Sequence, residues 1–172
     1  MPHGLLDKHT ILELLNAEPP LVEQAVEIGA QVQPNGVDLT LRDVARYTSA
    51  GTADFSNASR ELPSTDVLPY RPAGTLHLDP GAYFVTFNEV VNLPKDLAAL
   101  GRTRSTLLRC GVALHTAVWD AGYSGRSQSL MTVYNPAGFT VHRDARIMQL
   151  IFFRLEQPVT DGYAGVFLRE NV

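Results

Sequence analysis

The sequence predicts a mainly β fold, a barrel or sandwich carrying a few short helices. Three observations carry that expectation. Apolar runs are short and frequent, as in Val37 to Leu41, Ala82 to Phe87 and Phe139 to His142. Turn-forming clusters separate them: Pro34-Asn35-Gly36, Asp79-Pro80-Gly81 and Asn135-Pro136-Ala137-Gly138. Helical periodicity is confined to brief stretches.

The elements follow in order. Leu5, Leu6, Ile11, Leu12, Leu14 and Leu15 fit an amphipathic helix over 5–16, ended by Pro19-Pro20. Residues Val26 to Val32 alternate roughly apolar and polar, as a strand does, and the Pro34-Asn35-Gly36 turn leads into a strand at Val37 to Leu41. Residues 47–74 are rich in Ser, Thr, Gly, Ala and Pro. They read as a long excursion, with Arg60, Glu61 and Asp66 in solvent. Lys95 to Leu100 reads as one helical turn. Ser105 to Arg109 reads as another, with Ser105 as its N-cap. Val112 to Thr116, Ser129 to Tyr134, Phe139 to His142 and Ala145 to Phe153 read as strands. The tail, 158–172, mixes glycines with Tyr163 and Phe167 and is expected to stay mobile until something binds.

Length and composition suit one domain over 1–172. The chain has 172 residues and 45% hydrophobic content, within the ~100–200 residues of common single domains. Its charged fraction of 19% lies below the ~25% of average globular proteins, which argues against disorder. A net charge of -4 disfavours nucleic acid and anionic membranes as partners. No segment approaches the ~18–20 apolar residues of a membrane span, and the N-terminus lacks the basic-then-apolar pattern of a signal peptide. The cytoplasm is therefore the expected location.

Cys110 is the only cysteine, which excludes an intrachain disulfide and multi-cysteine zinc sites, including that of the zinc deaminases. The chain carries no P-loop, no dinucleotide fingerprint and no Gly-x-Ser-x-Gly elbow. His3, His9, His77, His115 and His142 show no ligand spacing.

Two segments stand out. Lysine appears only at Lys8 and Lys95, and six of the twelve arginines lie between Arg102 and Arg146. Codon preference can explain the excess of arginine but not its clustering, and a planar guanidinium suits phosphate. Within that cluster, Arg104-Ser105-Thr106-Leu107-Leu108-Arg109-Cys110-Gly111 offers two cations and two hydroxyls. A few residues on, Asp120 follows Ala117-Val118-Trp119 and opens Ala121-Gly122-Tyr123-Ser124-Gly125. A carboxylate at a strand end is placed to activate a water. Asp-x-Gly is equally a common turn, and Ser105 equally a helix cap. Asp38, polar within an apolar strand, either faces solvent or belongs to a site.

Six segments, taken in order, resemble the dUTPase and dCTP deaminase superfamily, and within it the archaeal-type dUTPases, whose sequences are deaminase-like. They are Val32 to Leu39, Leu78 to Phe84, Leu93 to Ala99, Arg104 to Arg109, Thr116 to Gly125 and Ala145 to Ile151, covering most of residues 5–155. The resemblance implies a distorted jelly-roll, a β-clip barrel of the dUTPase type, in a homotrimer with intersubunit active sites. For the dUTPase branch it implies magnesium-dependent hydrolysis of dUTP to dUMP and pyrophosphate.

On that resemblance Asp120 activates the water and Tyr123 packs against the deoxyribose, leaving no room for a 2′-hydroxyl. Backbone around 114–126 reads the uracil. Arg104, Ser105 and Gln149 hold phosphate oxygens, and Thr106, Arg109, Ala117, Arg146 and Tyr163 complete the substrate-binding set. Asp38 contacts magnesium indirectly, through water.

The deaminase branch carries a glutamate three residues before an Asn. With Asn135 as that Asn, the position holds Thr132, which cannot relay protons near neutral pH. Deamination of dCTP, alone or in a bifunctional enzyme, is thus the weaker alternative. A non-catalytic deoxynucleotide-binding regulator on the same fold is another. The glycine-rich Phe-Gly-Ser-Thr-Gly tail of common dUTPases is absent. The tail resembles the Tyr-containing tails of the deaminase branch, with Arg169 as a candidate for the γ-phosphate.

Overall fold

A computed structural model describes residues 4–172; His3 lies outside the described residues. The chain opens with β1 (Gly4–Leu5) and α1 (Lys8–Leu15), then β2 (Val22–Glu23), α2 (Ile28–Gln31) and β3 (Val32–Gln33). The long β4 (Gly36–Tyr47) precedes β5 (Thr65–Val67), β6 (Thr75–Leu78), β7 (Gly81–Phe87) and β8 (Val90–Asn92). Next come β9 (Leu97–Thr103), α3 (Ser105–Arg109), β10 (Val112–His115), β11 (Val118–Trp119) and β12 (Ser124–Gly125). The chain closes with β13 (Gln128–Val133), β14 (Phe139–His142) and β15 (Arg146–Arg154).

The mainly β expectation holds. A ten-stranded antiparallel sheet runs β10-β13-β7-β4-β15-β9-β11, with β1, β3 and β5 at its margins. Two small sheets, β12-β8-β2 and β14-β6, complete the curled structure. The turn of β4 explains the curl. Its first half, Val37 to Thr40, pairs with β15, and its second half, Leu41 to Ala45, pairs with β7. Register shifts interrupt both ladders, between Arg146 and Met148 and between Leu41 and Asp43. An extra residue at such a bulge bends a strand and increases its twist, so one strand can serve both halves of the sheet. The bulge also lets Ile147 and Met148, adjacent in sequence, both be fully buried.

Elsewhere the pleat sorts the residues two by two. Tyr83, Val85 and Phe87 of β7 face the core, as do Ser129, Met131 and Val133 of β13. One buried polar knot sits within this packing. Glu89 accepts from the Thr40 amide (2.9 Å), the Thr40 hydroxyl (2.6 Å) and the Gln31 amide nitrogen (2.7 Å). Burial pushes its carboxyl above the ordinary glutamate range, against the pull of those three donors.

Several sequence expectations change. The first helix begins at Lys8, because Asp7 caps it by accepting from the Thr10 amide at 2.9 Å, and Leu5 pairs with Phe153 as a strand. Val26 to Val32 holds one helical turn, α2, capped by the Glu27 carboxylate. Lys95 to Leu100 is not helical: Leu97 starts β9, which is hydrogen-bonded to β15 on one edge and β11 on the other. Two filled ladders override the helix preference of Leu97-Ala98-Ala99. Ser105 is the first helical residue of α3 rather than its cap; Arg104 holds the cap position without a side-chain bond. The 47–74 excursion contains β5 and a Thr52–Glu61 bridge, and Arg60 is half-buried over the Phe167 ring. No described helix is long and apolar enough to cross a membrane.

Candidate functional site

The candidate residues fall into two places. The first is the turn after β11. The Tyr123 amide donates to the Asp120 carbonyl at 3.0 Å, and Gly122 takes φ +85°, as the third residue of a tight turn requires. A side chain at Gly122 would also strike Gly162 and Tyr163, since its Cβ would lie 2.8 Å from the Gly162 Cα. Asp120 therefore shapes the turn through its backbone. Its side chain is exposed, and no hydrogen bond or ion pair engages it among the described residues.

Asp120 stands at a cleft of about 590 Å³. Trp119, Tyr123, Tyr163 and Phe167 line it together with Tyr47, Phe84, Leu62 and Pro63. Ala117, Gln128 and Ser127 also line it, and its charged members are two acids, Asp120 and Glu170. Among the described residues no lining residue is a cation, so the cleft suits a planar, uncharged part of a ligand and repels a bare phosphate.

Tyr123 is buried, its ring edge-on to Tyr163 at 5.8 Å and its hydroxyl donated to Glu170 Oε1 at 2.8 Å. Burial, chiefly, and the Glu170 carboxylate push the phenol well above its usual range. Glu170 arrives on the tail, which is docked. The Tyr163 amide donates to the Ala121 carbonyl (2.8 Å), the Arg169 amide to Ser124 (2.6 Å) and the Arg126 amide to Glu170 (2.9 Å). Arg169 itself is exposed and borders a second hollow beside Leu14 and Asn92, which shares Tyr123 with the cleft.

The second place is a cationic corner where β4, β9 and β15 meet. Arg104 follows β9: its amide donates to the Ile147 carbonyl (3.2 Å) and its Nη1 to the Arg146 carbonyl (3.1 Å). Asp38, 1% exposed, lies 3.1 Å from Arg104 Nε and 3.5 Å from Arg146 Nη1. Burial pushes the Asp38 carboxyl up, while the two guanidiniums pull it down by a smaller amount. Arg146 also donates to the Ala30 carbonyl at 2.6 Å. Ser105, Thr106 and Arg109 project from the exposed α3, with Arg109 Nη1 on the Ser105 carbonyl at 3.3 Å. Gln149 is half-buried, opposite Asp38 in register.

Asp38 fits poorly as a magnesium contact. Its Oδ2 is ion-paired with two arginines, though no hydrogen bond engages that oxygen, and a hydrated dication beside them would meet like charge. No three His, Cys, Asp or Glu residues form a metal-holding group among the described residues.

The two places do not meet within one chain. Trp119 pairs with Ala99, so continuing the register brings Asp120 level with Ala98, while Arg104 follows the far end of β9. Six residue steps along the strand separate them, about 20 Å at ~3.3 Å per residue. Thr132 pairs with Ala113 on one side and Ala82 on the other, so no ionisable side chain flanks it across either ladder.

Sequence reading missed Tyr47, Leu62 and Pro63 as walls of the cleft, and Glu170 within it. The excursion and the tail carry no motif, and their roles come from docking.

The model of the dCTP deaminase-like family matches residues 5–155. A protein of Methanococcoides burtonii, named a probable deoxyuridine 5'-triphosphate nucleotidohydrolase, is 49% identical over 168 residues, or 98% of this chain and 99% of its own. A protein of Archaeoglobus fulgidus with the same name is 47% identical over 98% of both chains. One from Methanocaldococcus jannaschii, named a deoxyuridine 5'-triphosphate nucleotidohydrolase, is 35% identical over 80% of this chain and 86% of its own. The crystal structure of a 2'-deoxycytidine 5'-triphosphate deaminase from Agrobacterium tumefaciens superposes with a TM-score of 0.67 at 20% identity. It covers 90% of this chain, which spans about half (49%) of that longer one, and the likeness speaks for the fold alone.

Proposed function

The chain belongs to the dCTP deaminase-like family, and from that premise we propose that it hydrolyses dUTP to dUMP and pyrophosphate. The near-full-length relatives named for that substrate support the reading. The observation that carries it is local: Asp120 lines the cleft, exposed and with no side-chain partner among the described residues, while the ladder partners of Thr132 are Ala113 and Ala82, neither of them an acid that could run a deamination.

The uracil and deoxyribose occupy the aromatic cleft, with Tyr123 against the sugar and Tyr163 and Ala117 beside it. Asp120 accepts a proton from a water as the water oxygen bonds to the α-phosphorus. The bridging P–O bond to the β-phosphate breaks and pyrophosphate leaves with the bonding pair. Such a displacement needs alignment and charge neutralisation more than covalent help. The neutralising groups are Arg104, Ser105, Thr106, Arg109, Arg146 and Gln149. Because the cleft is cation-free and the corner about 20 Å away, a neighbouring copy supplies them, which is the role of a trimer in this reading. Asp38 keeps Arg104 and Arg146 oriented. Magnesium belongs here only as the companion of the triphosphate, whose oxygens and water would carry it rather than a protein cluster.

The test is a panel of dUTP, dTTP, dCTP and UTP assayed for pyrophosphate and for ammonia. Pyrophosphate from dUTP is expected, with no ammonia from dCTP. Ammonia release would replace this reading with the deaminase. Calorimetric binding of dUTP without hydrolysis would replace it with a regulator.

A further inference from the structure

We infer that Glu170 is the positioning residue that locks the Tyr123 ring in place, so that the C-terminal tail sets discrimination against ribonucleotides. This rests on the proposed dUTP hydrolysis, in which Tyr123 faces the sugar.

A ring excludes one extra hydroxyl only if it cannot tilt away from it. Steric rejection of a single hydroxyl by a pocket that yields is weak, on the order of a hundredfold at best. Tyr123 is held at three points. Its ring lies across Gly125, where an added Cβ would come within 2.8 Å of the Tyr123 hydroxyl and 3.2 Å of Cζ. Its edge meets Tyr163 at 5.8 Å. Its hydroxyl donates to Glu170 at 2.8 Å. The first two are contacts of shape, which a small rotation preserves. The third is directional and charge-assisted, and rotation breaks it.

Glu170 is itself fixed. Arg126, 5% exposed, holds the Glu170 carbonyl through its amide (2.9 Å) and the Asn171 carbonyl through Nε (3.0 Å), while Asn171 Nδ2 donates back to the Arg126 carbonyl at 3.0 Å. The Arg126 guanidinium is anchored in turn on the Phe87 and Asn88 carbonyls and on Gln24 Oε1. Arg126 stands three residues after Tyr123, so the ring and its lock hang from one short stretch of backbone.

The experiment measures kcat/KM for dUTP and for UTP. Glu170→Ala is expected to lower the dUTP-to-UTP ratio about tenfold, the loss of one charge-assisted hydrogen bond. Tyr123→Phe removes the same bond from its other end and lowers the ratio equally, and the double variant lowers it no further. Glu170→Gln, whose amide oxygen accepts from the same hydroxyl, keeps the parent ratio. A tail that merely braces the fold would depress both rates together. An unmoved ratio in Glu170→Ala, or a double variant equal to the product of the singles, overturns the inference. Should Glu170→Ala not fold, an unmoved ratio in Tyr123→Phe alone overturns it. A parent protein inactive on dUTP instead removes the proposed function on which the inference depends.

Discussion

Asp120 and Asp38 are the same residue in opposite settings. Asp120 follows a two-residue strand, exposed and with no side-chain partner among the described residues, at a cleft lined with aromatic rings. Asp38 sits inside a twelve-residue strand, 1% exposed, between two arginines. The contrast separates two uses of a carboxylate. One that takes a proton from water needs free lone pairs and access. One that orients cations needs burial and fixed partners, and its charge is spent on them.

The sharpest way to break this comparison is to neutralise each aspartate. Asp120→Asn is expected to lower kcat on dUTP by about 10²–10⁴, the usual worth of a general base, while leaving urea stability within about 0.5 kcal/mol. A variant that keeps most of its rate would remove Asp120 as the base. Next comes the separation of the two places. Asp120→Asn and Arg104→Ala, each inactive alone, are mixed, unfolded and refolded together. About a quarter of the sites in a one-to-one mixture then combine both intact halves, and activity returns in that proportion. No recovery would put both halves of a site on one chain.

Asp38→Asn should behave as the mirror image of Asp120→Asn. It takes the counter-charge from two guanidiniums and is expected to raise KM for dUTP, with urea stability little changed because burial already disfavours the ionised carboxyl. An unchanged KM would mean that the arginines do not depend on it. The smallest effect concerns Glu89, a third buried acid with a purely structural setting. Its carboxyl is pushed up by burial, so the unfolded chain loses this proton at a lower pH than the folded one. Its contribution is greatest below the unfolded value, about 4.3, declines as pH rises toward the folded value and is constant above it. Glu89→Gln should remove that slope from the difference between parent and variant; a slope of the opposite sign would contradict the assignment.

How much was legible in advance follows from how each region is built. The Asp120 turn is contiguous from Ala117 to Gly125, so one local motif displays its parts. The corner draws on residues 38, 104 and 146, which are far apart in sequence; the resemblance named all three, with Asp38 as an indirect magnesium contact, and only the fold shows that Asp38 lies beside both arginines. Glu170 gave no signal, because its position depends on the tail docking on Ser124 and Arg126. The strand at Leu97 was misread for a related reason. Its residues favour a helix locally, and only the neighbours on both edges make it extended.

The seven residues of β9 set the distance between the two places. On the proposed reading, a newly made single chain carries the water-activating end and the phosphate-holding end, yet brings them to no common nucleotide. Turnover then tracks the concentration of assembled protein rather than of protein made. Dilution below the assembly threshold switches the activity off, and the nucleotide pool is spared attack by scattered subunits.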